Sequence, residues 1–227
     1  LNILNSLVKF DRVNKTKIFY SSSACIYPEH IQTESDNPGL KESDAYPAAP
    51  DSEYGWEKLF SERLYLTFCK NFGLDVKIAR FHNIYGPLGT WDGGKEKAPA
   101  AICRKVAQAE LTDNVIEVWG DGLQTRSFLF IDDCIEATRR FMNSSYNGPI
   151  NIGSEEMISI NNLVVLVAKI AGKDVEINNI DGPLGVRGRN SNNKLIKEIL
   201  NWDYEYSLKD GISKTYSWIN DQVLKHN

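Results

Sequence analysis

Apolar residues at Leu4, Leu7, Val8 and Phe10 recur at helical spacing, so the first stretch, to about Val13, reads as the end of an amphipathic helix. The pattern then changes to Lys17-Ile18-Phe19-Tyr20-Ser21-Ser22, a β-branched and aromatic run that predicts a buried strand. Glu29 to Ser52 carries Pro38, Pro47 and Pro50 among acidic and polar residues and predicts a long loop. Loops of that length in compact domains are usually functional. Leu59, Phe60, Leu64, Leu66 and Phe68 give an apolar face to a helix from Tyr54 to Phe72, with Gly73 as its stop. Asp75 to Phe81 is a second strand. A helix lying between two strands predicts a βαβ crossover and a parallel sheet.

Further along, Tyr85-Gly86-Pro87 is a turn and Gly89 to Gly94 a glycine-rich loop around Trp91. Helices are predicted over 98–109, 132–142 (with Asp132 as N-cap candidate) and 159–171 (with Ser159 as cap), and two more from Lys194 and Leu208. Strands are predicted over 115–119, 149–152 and 175–178, and 181–193 is a loop rich in Gly, Arg and Asn. The fold expected is α/β: a partial Rossmann-like, doubly wound parallel sheet plus a smaller C-terminal α/β unit. Residues 1–88, with segments near 115–155 returning to them, would form the sheet unit, and 89–227 mainly the second one. A dinucleotide fold opens with a strand, a Gly-rich turn and a helix N-terminus that receives the pyrophosphate. No segment matches that opening and the chain starts at Leu1, so an N-terminally truncated chain lacking its first βα units is expected.

Composition narrows the function classes. The 227 residues are 42% hydrophobic and 25% charged with a formal net charge of -4, which suits a soluble globular protein and argues against a phosphate-tracking nucleic-acid surface. Cys25, Cys69, Cys103 and Cys134 are scattered without C-x-x-C spacing, so neither a metal site nor a disulfide framework is expected, and a reduced cytoplasmic protein is. No apolar run reaches membrane-spanning length and no signal-peptide pattern opens the chain, so no membrane partner is expected.

Tyr54 and Lys58 stand four apart at a helix start and project from one face. A phenol, titrating near pH ~10, is a poor base at neutrality unless a nearby ammonium favours its phenolate. The pair follows a strand ending in serines, which brings hydroxyl and phenol toward the carboxyl end of the sheet, where open α/β folds bind ligands. Ser21, Ser23 and Cys25 alternate and in extended backbone share one face. Cys25 is open to two readings: a small buried apolar residue, or a thiol that works as acid/base if a cation stands beside it. Lys95-Glu96-Lys97-Ala98-Pro99 is either a solvated charged loop or one that holds a lysine over a pocket. Arg187 and Arg189 lie on a flexible loop and suit bidentate phosphate binding, with solvated arginines as the alternative.

Taken together, S-S-A-C-I-Y-P, Y-G-x-E-K, R-F-H-N-I-Y-G-P, G-T-W-x-G-G-x-E-K-A-P-A-A, W-G-D-G-x-Q-T-R-S-F, N-I-G-S and G-V-R-G-R-N-S resemble the GDP-mannose 3,5-epimerase family, a branch of the extended short-chain dehydrogenase/reductases. The resemblance runs from about Lys17 to the last helix. It implies an NAD-dependent enzyme that converts GDP-D-mannose to GDP-L-galactose (and GDP-L-gulose) through a 4-keto sugar, in supply of ascorbate and cell-wall precursors. It further implies Tyr54, Lys58 and Ser23 at the C4 hydroxyl and Cys25 with Lys97 as the acid/base pair, Lys97 also giving Cys25 its positive charge. Ser22, Phe81, Tyr54 and Lys58 would contact NAD. Ser23, Asn83, Glu96, Lys97, Lys105, Gln124, Arg126, Arg187 and Arg189 would contact the GDP-sugar, the two last at its diphosphate, in a homodimer. The alternatives are another nucleotide-sugar epimerase, dehydratase or decarboxylase, or a truncated subunit that binds GDP-sugars without catalysis. Asn192 and Asn201 stand where the superfamily commonly has Asp and Gly, and are expected to perturb a loop anchor and a helix end.

Overall fold

The computed structural model describes residues 1–109, 114–183 and 185–226. Helix α1 (Asn2–Lys9), strand β1 (Lys17–Ser23), helix α2 (Glu53–Phe72) and strand β2 (Asp75–Phe81) form the crossover that the apolar pattern predicts. The chain continues through β3 (Ile84–Tyr85), α3 (Ala98–Gln108), β4 (Val115–Trp119), β5 (Thr125–Ser127), β6 (Leu129–Phe130), α4 (Ile131–Asn143) and β7 (Pro149–Ile152). It ends with β8 (Met157–Ser159), α5 (Ile160–Ala171), β9 (Glu176–Ile180), β10 (Gly188–Arg189), α6 (Lys194–Leu200) and α7 (Leu208–His226).

The fold is mixed α/β, with a parallel sheet in the order β1-β2-β7. Its register aligns Ser23 with Phe81 and Phe81 with Ile152, so three strands finish level and present one carboxyl edge. Three smaller pairings surround it: β3 with β6, β4 with β9, and β10-β5-β8. Strands β3, β5, β6, β8 and β10 span two or three residues each, too few for a period of two to show in the sequence.

Helix boundaries follow local chemistry. The Ser52 hydroxyl accepts from Gly55 N and starts α2, and Gly73 ends it in the left-handed conformation. Ser159 caps α5 through Asn162 N. Asp132 does not cap α4, which starts after Phe130 without a side-chain cap. Its neighbour Asp133 accepts from Glu205 N and Tyr206 N instead and ties the helix to the segment before α7. The two unusual asparagines stand at the two ends of α6. Asn192 Oδ1 accepts from Lys194 N at the start of α6, and Asn201 ends that helix at φ 44°. Asparagine tolerates that left-handed region better than most residues.

The described residues form four apolar clusters, two of which frame the rest. One, around Ala79, Leu129, Phe141, Ile150 and Trp202, lies against the parallel sheet; the other joins α3, α5 and α7 around Val106, Val167 and Ile219. The sheet also buries charge. Arg80 of β2 meets Glu62 of α2 at 2.7 Å with both side chains almost fully enclosed. Ser22 donates to the same carboxylate, while Arg80 also donates to the Glu42 carbonyl and the Tyr27 hydroxyl. Burial weakens a cation, but Tyr27 and Glu62 outweigh it here and raise the Arg80 pKa.

Replacing Glu62 by Leu leaves the Arg80 charge buried without its partner. The expected loss is ~3–5 kcal/mol in denaturant unfolding, with much of it recovered in Glu62→Leu/Arg80→Met, because an apolar pair of similar volume often substitutes at little cost. A loss below about 1 kcal/mol in the single variant would contradict this account of the helix–sheet junction.

Candidate active site

Strand β1 stops at Ser23. The Ser23 hydroxyl accepts from Cys25 N at 3.2 Å and opens a 3-10 turn over Ala24–Ile26. Cys25 therefore does not continue the strand, as its alternation with Ser21 and Ser23 predicts. It sits mid-turn, half-buried, between the buried Ala24 and Ile26. The N-terminus of α2 packs directly on this turn, and a Cβ on Gly55 would collide with the Cys25 carbonyl oxygen. That close approach sets Tyr54, the preceding residue, beside the cysteine's turn. Tyr54 is half-exposed, and the Lys58 ammonium lies 5.5 Å from its ring centroid and 5.1 Å from that of Tyr20. Lys58 donates to the Ser21 carbonyl at 3.0 Å, which fixes the ammonium at the sheet's carboxyl edge.

The cation at the thiol is an arginine. Arg189 Nη1 lies 3.3 Å from Cys25 Sγ, its Nε donates to Gln32 Oε1 at 2.6 Å, and its Nη2 meets Asp51 at 3.0 Å. Arg126 is next to this group. Burial first, and then the nearby Arg189 charge, push its pKa down to about 10, against the pull of Asp51 and Cys25. Arg126 also lines a cavity of about 450 Å³ that includes Asn83, Glu96, Lys97, Lys105, Trp119 and Gln124.

Several of the cavity groups are held by neighbours. Asn83, at φ 44°, donates to the Ser127 carbonyl. Lys105 donates to the Glu117 carbonyl at 2.7 Å, and burial lowers its pKa. Glu96 binds Arg104 at 2.7 Å; burial opposes its ionisation, but that bond holds the carboxyl below its ordinary range. Arg104 also donates to the Trp91 carbonyl, so it fastens the glycine-rich loop to α3. Glu96 Oε2 and Gln124 Oε1 are buried without a hydrogen-bond partner, two acceptors available to a polar ligand. Lys97 stands at the N-cap of α3 and lines the cavity.

The predicted residues thus divide. Ser23 and Cys25 lie at the end of β1, and Tyr54 and Lys58 lie on the helix that packs against that turn. Asn83, Glu96, Lys97, Lys105, Gln124 and Arg126 line the cavity, and Arg126 joins the two groups. Three expectations are corrected. The charge beside Cys25 belongs to Arg189, not Lys97. Arg187 does not share a site with Arg189: a bend turns it onto Asp121 at 2.9 Å, outside the cavity, and that bond raises its pKa. The Ser22 hydroxyl faces the buried Glu62 and not the sheet's open edge, because it alternates with Ser21 and Ser23, and the Phe81 ring packs 6.0 Å from that of Phe19 in the core. Sequence reasoning missed Gln32, Asp51 and Arg104, three polar residues with no motif of their own. Among the described residues no cluster of His, Cys, Asp and Glu suits a metal ion, and no helix is long and apolar enough to cross a membrane.

The chain is thus an α/β protein whose sheet edge carries a paired tyrosine and lysine beside a polar cavity. Residues 1–153 match the NAD dependent epimerase/dehydratase family, and the chain belongs to that family. It is 51% identical to the GDP-mannose 3,5-epimerase of Arabidopsis thaliana over 97% of this chain and 59% of that protein. It is 30% identical to UDP-glucuronic acid decarboxylase 6 of Arabidopsis thaliana, over 93% of this chain and 60% of that one. Among solved structures it is similar to Pal from Bacillus thuringiensis (TM-score 0.82, 29% identity, 97% of this chain and 66% of the other). It is likewise similar to the UDP-glucuronic acid 4-epimerase of Bacillus cereus in complex with UDP-glucuronic acid and NAD (TM-score 0.79, 26% identity, 97% and 67%). The chain therefore spans about three fifths of the length of the epimerases it resembles.

Gly55→Ala tests the packing of α2 on the cysteine's turn. The added methyl meets backbone, which cannot move aside as a side chain does, so a destabilisation of ~1–3 kcal/mol is expected in thermal or denaturant unfolding. An unchanged midpoint would contradict this close packing of α2 on the turn.

Proposed function

We propose that the protein carrying this chain is an NAD-dependent GDP-mannose 3,5-epimerase. It would convert GDP-D-mannose to GDP-L-galactose, with GDP-L-gulose as the product inverted at C5 alone, in supply of ascorbate and cell-wall sugar precursors. The observation that carries this reading is Cys25, whose thiol stands beside an arginine and whose backbone carbonyl packs against the helix of Tyr54 and Lys58. Residues 1–88 with the returning strand β7 are the sheet unit in this reading, and 89–227 mainly the sugar-nucleotide unit.

The residues that fit NAD are Tyr54 and Lys58, whose ammonium is fixed at the carboxyl edge and flanked by the Tyr54 ring. NAD, when bound, supplies the means to take a hydride from the sugar's C4 and to return it. Tyr54 receives the C4 hydroxyl proton, and the nearby Lys58 charge favours its phenolate. Ser23, at the end of β1, is placed to donate to the same oxygen. A ketone at C4 acidifies the hydrogens on C3 and C5. Cys25 takes one of them: its S–H bond forms as the C–H bond breaks, and the electron pair passes into the enolate. Lys97, on the cavity wall, returns a proton to the opposite face, and that inverts the carbon. Glu96, Gln124, Lys105 and Asn83 line the cavity that would take the GDP-sugar. Arg189 serves the thiol, so the diphosphate falls to Arg126 and the cavity lysines.

A 4-epimerase or a decarboxylase has no need of a thiol acid/base at this place, so the arginine-bound Cys25 favours the 3,5-epimerase reading. A reduced, cytoplasmic homodimer is also part of this reading. All four cysteines are free, and α1 and α2 leave Ile3, Phe10, Phe60 and Phe72 exposed.

Cys25→Ser in the full-length protein is expected to abolish solvent-deuterium incorporation at C5 of GDP-mannose while the NAD content measured after denaturation stays that of the wild type. Incorporation at the wild-type rate would remove the role given to Cys25. A wild-type protein that neither holds NAD nor turns over GDP-mannose would favour a non-catalytic GDP-sugar-binding subunit.

A further inference from the structure

We propose that the Glu29–Ser52 loop is a positioning device for Arg189, with Gln32 and Asp51 as the positioning residues that hold its guanidinium on Cys25. The inference deepens the role given to Cys25 and rests on that reading.

The loop is long but closed at its neck. Pro28 and Pro50 form an antiparallel bridge, and Glu29 N donates to the Ala49 carbonyl at 3.1 Å. Gln32 stands just inside the neck and is 1% exposed. Its amide nitrogen donates to the Tyr27 carbonyl at 3.2 Å and to the Pro28 carbonyl at 3.0 Å. Those two acceptors orient the amide, since its oxygen in their place would face two carbonyls. The Gln32 oxygen is thereby aimed at Arg189 Nε. The Gln32 backbone carbonyl meanwhile accepts from Arg187 N and Gly188 N, at 3.0 and 3.2 Å. Gln32 thus holds both the guanidinium and the strand that carries it.

Asp51 closes the clamp from the other end of the loop. One oxygen meets Arg189 Nη2, and the other accepts from the hydroxyl of Ser52, the cap of the tyrosine helix. Guanidinium is planar, with its donors in a fixed fork. Two of its three nitrogens are held by the loop, so the third, Nη1, has one direction left, toward Cys25 Sγ. A lysine held by its stem alone would bring the same charge without that orientation. The loop lies packed along the arginine segment further on as well: Leu40 bridges Ser191, and a Cβ on Gly188 would collide with the Glu34 carbonyl oxygen.

The test needs no substrate, so it fails or succeeds apart from the epimerase reading. In the full-length protein, alkylation of Cys25 by iodoacetamide near neutral pH is followed by peptide mass spectrometry. The buried Cys103 and Cys134 report loss of fold by becoming labelled. A neighbouring cation raises thiol reactivity, so Arg189→Met should slow Cys25 labelling on the order of tenfold. Gln32→Leu and Asp51→Asn should slow it comparably, with Asp51→Glu close to the wild type. Wild-type rates in both Gln32→Leu and Asp51→Asn would overturn the proposal. So would faster labelling in Asp51→Asn, which would make Asp51 a mere counter-charge. If Gln32→Leu exposes the buried cysteines, the near-isosteric Asp51→Asn decides alone.

Discussion

Arg80 reaches across from the middle of the parallel sheet to Glu62 on the helix that covers it, and both charges are out of water. A pair so enclosed contributes little net stability compared with apolar residues, but it tolerates no slippage, because either charge left alone is costly. Glu62 lies one turn beyond Lys58 on the same helical face. The pair therefore sets the rotation and height at which α2 meets the sheet. Lys58 then finds the Ser21 carbonyl, and Gly55 finds the cysteine's turn. Tyr27 and Asn151 extend the same polar group to the third strand, where the fully buried His82 bonds Asn151. Burial lowers the His82 pKa to about 3, so the ring is neutral and adds no further charge to that interior.

Among the described residues every α-helix, and every strand longer than three residues, was legible in the apolar pattern, since a helix or strand that buries one face must repeat at its own period. Cap chemistry was legible at Gly73 and Ser159, whereas the caps at Ser52 and Gly172 were not read from the sequence. Asp132 misled because the adjacent Asp133 serves a distant segment, and acidic residues in a first turn need not be caps. The short strands β3 and β10 exist only because their partners are present, and no local signal records a partner.

For the site, the order of legibility followed the range of the interaction. Tyr54 and Lys58 are neighbours through helical geometry alone, so spacing sufficed. Cys25 and Arg189 are 164 positions apart, and spacing says nothing about their contact. Alternation suggested the right neighbourhood for Cys25 by the wrong route: Ser23 ends the strand, and a turn rather than a pleat presents the thiol. The two arginines look equivalent in sequence, yet a bend sends one to a surface aspartate and folds the other under a loop. Gln32 and Asp51 were invisible for the opposite reason. A glutamine and an aspartate among loop prolines are ordinary surface composition, and only tertiary closure turns them inward.

The glycine at the start of the tyrosine helix has a wider meaning. It removes the atom that would have kept the helix and the cysteine's turn apart, so in the proposed reaction the residue given the hydroxyl proton and the residue given the carbon-bound proton sit on two elements in direct contact. Adjacent carbons of a pyranose are a fixed bond apart, and a scaffold that fixes its own two reactive groups in the same way has a built-in ruler for neighbouring ring positions. The lysine on the cavity wall belongs to a different element and is outside that ruler.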